Sequence, residues 1–149
     1  MTFTLMRTSV TLGICLLAFG CNDSTKNYEL DAGSFTPKYL NMVEQCTGIT
    51  LPNGSHGLNL LYKGHQIDAA MLAKVEIPAG TEAALATQLS QLPSTDEHVI
   101  SSLTSQASWW IPSTQVVRTN RMLLHGHNLV HVILTDQNGQ SILYVEWYQ

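Results

Sequence analysis

The sequence predicts an α+β domain, an antiparallel sheet of about four or five strands with two or three helices packed on it. Three observations predict this. Near the C-terminus, two alternating apolar runs flank an Asn-Gly pair. In the middle of the chain, two more apolar runs alternate with period two. Around them lie stretches with helical apolar spacing, bounded by capping residues and prolines.

Thr36-Pro37 opens the first helix, with Thr36 as N-cap and Pro37 in the first turn. Tyr39, Leu40, Val43 and Cys46 then share one face, and Gly48 suits the C-terminal cap. Pro52-Asn53-Gly54 makes a turn. The next run, 57–63, is a strand with Leu58, Leu60 and Tyr62 on one face. Its partner, 70–77, sets Met71, Ala73, Val75 and Ile77 against Leu72, Lys74 and Glu76, and Pro78 ends it. Thr81 caps a second helix that runs to Leu92, with Leu85, Leu89 and Leu92 as its buried stripe. A weaker third helix starts near Thr95 or Asp96, with Val99, Ile100 and Leu103 inward.

The C-terminal runs, 129–135 and 141–147, give the strongest local signal. A two-residue loop at Asn138-Gly139 sets Gln137 opposite Gln140. The register follows. Leu134 faces Leu143, Val132 faces Val145 and Val130 faces Trp147, all on an apolar face that belongs to the core. The other face pairs Ile133 with Tyr144 and His131 with Glu146. That second pair is expected to favour a protonated His131.

With 149 residues the chain has room for one domain. Charged residues make up 12% and hydrophobic residues 44%, which excludes wholesale disorder. Seven basic against eleven acidic side chains give a formal charge of −4, a poor match to a phosphate backbone, so nucleic acid is not an expected partner. No run of 18 apolar residues predicts a spanning helix. No internal repeat or low-complexity run is present.

The first residues read as an address. Arg7 is the only charge before an apolar stretch from Val10 to Phe19, and Gly20 and Cys21 follow. This is the layout of a secretory signal. Its end, Leu17-Ala18-Phe19-Gly20-Cys21, resembles the lipobox of bacterial lipoproteins. Ala18 stands where that pattern usually has Leu, and Phe19 where it has a small residue. The resemblance implies cleavage after residue 20, a diacylglycerol on Cys21, and a 129-residue mature chain held on the periplasmic side of the cell envelope. In that family Asp directly after the Cys favours the inner membrane. Asn22 stands here, so the outer membrane is favoured. An ordinary signal-peptidase site at Ala18-Phe19-Gly20 would cut at the same bond and leave Cys21 free to bridge Cys46. The polar stretch 22–34 reads as a flexible tether ahead of a domain that spans 35–149.

Motifs for chemistry are sparse. There is no G-x-S-x-G, H-E-x-x-H, P-loop or G-x-G-x-x-G. His125, His127 and His131 share parity, so a regular strand would place them on one face, where imidazoles suit zinc or copper. His131 lies about 13 Å beyond His127 on an extended strand, so joining them requires a bend near Gly126. Trp109 and Trp110 form a candidate aromatic anchor for a partner. Cys46, alone once Cys21 is acylated, reads as a small buried hydrophobe. The expected function is a membrane-anchored, non-catalytic binding or structural module of the envelope, bound to the bilayer through Cys21 and to an envelope protein or the cell wall. The alternative is a periplasmic metal-binding protein.

Overall fold

The computed structural model describes residues 26–64, 68–97 and 102–149. The signal stretch and Cys21 lie outside the described residues. Six strands form one antiparallel sheet: β1 (Tyr28–Asp31), β2 (His56–Lys63), β3 (Ala70–Ile77), β4 (Val116–His125), β5 (Asn128–Gln137) and β6 (Gln140–Tyr148). Their spatial order is β1-β2-β3-β6-β5-β4. Two meanders, β1-β2-β3 and β4-β5-β6, thus meet along the β3–β6 pair. Two α-helices accompany them, α1 (Pro37–Thr47) and α2 (Glu82–Gln91). The sheet is larger than the four or five strands expected.

Local rules account for most of the elements. α1 begins with Pro37, whose missing N–H is one the first turn leaves unpaired anyway. It ends at Gly48, which takes φ +70° and donates its N–H to the Glu44 carbonyl at 2.8 Å. Thr36 and Thr81 precede the helices as expected, but neither side chain caps. Thr81 Oγ1 instead donates to the Pro78 carbonyl at 2.7 Å. Gln88 of α2 holds the 49–51 segment through a two-way amide bond with the backbone of Thr50.

Both turns of the second meander have two residues. Asn138 and Gly139 take φ +55° and +82°, as a type I′ turn requires, and fix the pairing of β5 with β6. Every pair expected there is found, from Gln137 opposite Gln140 to Val130 opposite Trp147. Gly126-His127 is the second turn. Only Gly126 has positive φ, +65°, the signature of type II′.

The main core fills the space between the helices and one sheet face. Val43, Cys46, Leu85 and Leu89 descend from the helices onto Leu60, Met71, Val75, Val132, Leu143 and Val145. The opposite face is covered by segment 102–115, which has two short 3₁₀ turns (Thr104–Gln106 and Pro112–Thr114). Leu103 and Ala107 pack there on Leu61 and Leu72, while Trp110 packs on Tyr144 and Ile142.

Four expectations are corrected. Tyr28–Asp31 is a strand, not tether, because Tyr28 stacks on Tyr62 at 5.1 Å and Leu30 packs on the core. The domain therefore starts before residue 35. Leu58 leaves the face of Leu60 and Tyr62, because a bulge after Gly57 lets it turn to the Trp110 side. β4 was not expected at all. A second bulge, at Arg118, and the polar run Arg118-Thr119-Asn120-Arg121 hide its alternation. Finally, the described part of the third expected helix is not α-helical. Ser94 bridges to Leu123, and Leu103 is buried from a 3₁₀ turn. Val99 and Ile100 lie outside the described residues.

Two predictions follow from this packing. A Cβ on Gly57 would fall 2.2 Å from the Phe35 ring, whereas one on Gly33 would meet nothing closer than 3.5 Å. Gly57→Ala should cost about 1–3 kcal/mol in urea unfolding, with Gly33→Ala near neutral. Asp136 accepts from the Arg118 guanidinium at 2.6 Å and from the Gly139 N–H at 2.9 Å. Those two bonds, Arg118 first, hold its carboxyl below the ordinary range. The resulting stabilisation is complete above the unfolded value of about 3.9 and is lost as pH falls through the lower folded value. Asp136→Asn should therefore lower the urea midpoint at neutral pH, and the gap from wild type should close progressively in acid.

Candidate functional site

A cluster of interacting polar groups lies on the face covered by segment 102–115, the strap, where β4, β5 and β6 run side by side. Antiparallel register places Met122, His131, Glu146 and Leu72 in one transverse row. Glu146 is 3% exposed yet carries a carboxylate, so it needs partners. His131 Nδ1 stands 3.3 Å from Glu146 Oε2, and the Tyr148 hydroxyl donates to Glu146 Oε1. On the other side of the ring, His131 Nε2 lies 2.8 Å from Asn120 Oδ1.

His131–Glu146 is the cross-strand pair read from the sequence. Tyr148 was missed, although it sits two residues beyond Glu146 on the same strand face, a spacing visible in the sequence. Asn120 could not be found without β4. The four residues form a closed clip across three strands. Cys46, the one described thiol, is on the opposite side of the sheet, on the inner face of α1.

The turn at Gly126-His127 decides the fate of the histidine cluster. It reverses the chain, so His125 pairs with Asn128 while His131 pairs with Met122. His125 and Leu123 are two apart on β4 and share the helix face with the core. Met122, and with it His131, faces the other way. A Cβ on Gly48 would come within 2.4 Å of His125 Nδ1, which places that ring against the end of α1. His127 is exposed at the turn itself. The three rings do not converge, and among the described residues no three His, Cys, Asp or Glu groups gather in a metal-holding set. Shared parity misled because it assumes one continuous strand.

Trp109 and Trp110 are both half-buried and both engaged within the domain. Trp109 Nε1 donates to Glu29 Oε1 of β1 at 3.1 Å. Trp110 meets the Tyr144 ring edge-on at 5.3 Å. Both contacts fasten the strap over the sheet. Beneath them, burial pushes the Tyr144 hydroxyl above its ordinary pKa, and it has no hydrogen-bond partner among the described residues. Lys74 reaches over the same ring at 5.5 Å, and its partial burial lowers its pKa.

No helix among the described residues is long and apolar enough to cross a membrane. The chain matches no protein-family model, no curated protein and no solved structure.

The clip makes a direct prediction. Glu146→Ala removes the carboxylate that meets the Tyr148 hydroxyl and His131 Nδ1, at a cost of about 1–3 kcal/mol. A double-mutant cycle with His131→Ala in urea should show a coupling of about 0.5 kcal/mol or more. Zero coupling would make the clip incidental to stability.

Proposed function

We propose that this is a lipid-anchored envelope protein facing the periplasm, whose domain is a non-catalytic binding or structural module. One observation carries the reading. Cys21 follows Leu17-Ala18-Phe19-Gly20 at the end of an apolar stretch that begins after Arg7. On this reading the thiol of Cys21 is acylated, residues 1–20 are removed, and Asn22 directs the protein to the outer membrane. A partner in the envelope or the cell wall completes the proposal.

The arrangement of the domain is consistent with it. The sheet begins at Tyr28, seven residues after Cys21, so the anchor and the fold are separated by a short link. The polar groups of the clip bond to one another, and His131 has Asn120 and Glu146 on its two nitrogens. A ring so placed braces strands, whereas a general base needs a nitrogen open to substrate.

Intact mass of the protein extracted from membranes tests the anchor. Wild type should start at Cys21 and carry the increment of a diacylglycerol plus an acyl chain. Cys21→Ala should lack the increment and leave the membrane fraction. A wild-type chain that starts at Cys21 with a bare thiol would make this a secreted soluble protein and overturn the reading.

A further inference from the structure

The chain holds two Asn-Gly pairs, Asn53-Gly54 and Asn138-Gly139, and both sit in exposed turns. Glycine after asparagine offers the least steric hindrance to an attack within the chain. The deprotonated backbone nitrogen of the glycine attacks Cγ of the asparagine. A new C–N bond forms, the bond from Cγ to the side-chain nitrogen breaks, and ammonia leaves with the proton that the backbone nitrogen gave up. The product is a succinimide ring, which water opens to aspartate or isoaspartate. The rate depends on how freely the glycine nitrogen loses its proton and reaches Cγ.

The two turns differ at that nitrogen. The Gly139 N–H donates to Asp136 Oδ1 at 2.9 Å. The other carboxylate oxygen, Oδ2, accepts from the Arg118 guanidinium at 2.6 Å, which holds the group in place and ionised. Loss of the Gly139 proton would set an amidate beside a carboxylate, and like charges oppose it. The β5–β6 ladder also closes directly on this turn, with Gln137 opposite Gln140. Asn53-Gly54 has neither restraint. Pro52 to Ser55 form a type II turn, with Gly54 at φ +87° and the Ser55 N–H donating to the Pro52 carbonyl at 3.0 Å. That closing bond leaves the Gly54 N–H outside it, and the Gly54 N–H has no hydrogen-bond partner among the described residues. The turn precedes β2, which begins at His56, so no ladder clamps it.

We propose that Asn53 is a site of spontaneous deamidation through a succinimide, and that Asp136 shields Asn138 from the same reaction. The shielded pair is the one that sets the register of β5 on β6, where isoaspartate would insert a backbone carbon into a two-residue turn. At Asn53 the same change adds a carboxylate to a loop outside the sheet. Acylation of Cys21 has no bearing on either turn.

The test holds the purified protein in warm, mildly alkaline buffer. Peptide mapping by mass spectrometry then follows residues 53 and 138, separating aspartate from isoaspartate. Position 53 should convert several-fold faster than position 138 in the folded protein. The two rates should converge in urea, where both are plain Asn-Gly pairs. Asp136→Ala should speed position 138 several-fold and leave position 53 unchanged. That variant also loses stability, so Gly57→Ala is the control: it weakens the fold but keeps Asp136, and position 138 should stay slow. Equal rates in the folded protein, a slower position 53, or a difference that persists in urea overturns the proposal. So does an inert Asn53 in the folded protein beside a reactive one in urea. Position 138 speeding equally in Gly57→Ala and Asp136→Ala overturns the shielding by Asp136.

Discussion

The pairing of β3 with β6 is the constraint on which the rest of the structure depends. It joins two meanders that would otherwise be separate three-stranded sheets, with β3 and β6 as additional open edges. Eight residue pairs run along it, from Ala70 opposite Tyr148 to Ile77 opposite Ser141. Both strands are covered on both faces, which is why Met71, Leu72, Ala73 and Val75 are all buried, as are Ile142, Leu143, Tyr144 and Val145. A one-residue slip would exchange the two faces. Val145 would turn from the helix core to the strap, and the Glu146 carboxylate would be driven into the aliphatic helix core. The cost of that burial makes the register unique.

The two faces solve burial differently. The helix face is aliphatic and closed by α1 and α2, whose inward residues meet strand residues of similar size. The strap face is aromatic and mixed. Trp110 on Tyr144, Trp109 on Glu29 and the His131–Glu146–Tyr148 clip combine ring packing with directed hydrogen bonds. Directed contacts suit a covering segment that has only two 3₁₀ turns of its own, because they fix its position where regular structure does not. The buried carboxylate thus serves the register on one side and the strap face on the other.

How much of this the sequence reveals depends on how locally each feature is determined. The β5–β6 hairpin is legible pair by pair, because a two-residue turn leaves no freedom once Asn138-Gly139 is placed. The same logic reaches His131–Glu146. It fails at Gly126-His127, where a glycine followed by a non-glycine residue is the weaker type II′ signal, and that failure puts three histidines on a single imagined face. β1 has only Tyr28 and Leu30 to show alternation, too few to stand out from a polar link. Leu58 and Arg118 sit at bulges, which shift parity midway through a strand and leave no composition cue. The Trp pair was legible as aromatic surface, but its engagement with Glu29 and Tyr144 depends on contacts across 80 and 34 residues of chain.

Both sheet edges are guarded, and this bears on how the domain meets other molecules. β1 is only four residues long. β4 is ten residues long, but the Pro93–Thr95 backbone bonds to Met122 and Leu124 over its lower half. Its upper half carries exposed Val116 and Val117, which would invite another strand, and directly after them the bulge at Arg118. A bulge with a charged side chain twists the ladder out of line and makes strand addition unfavourable. With the edges blunted, one face under helices and the other under the strap, the surfaces left for recognition are the two ends of the sheet.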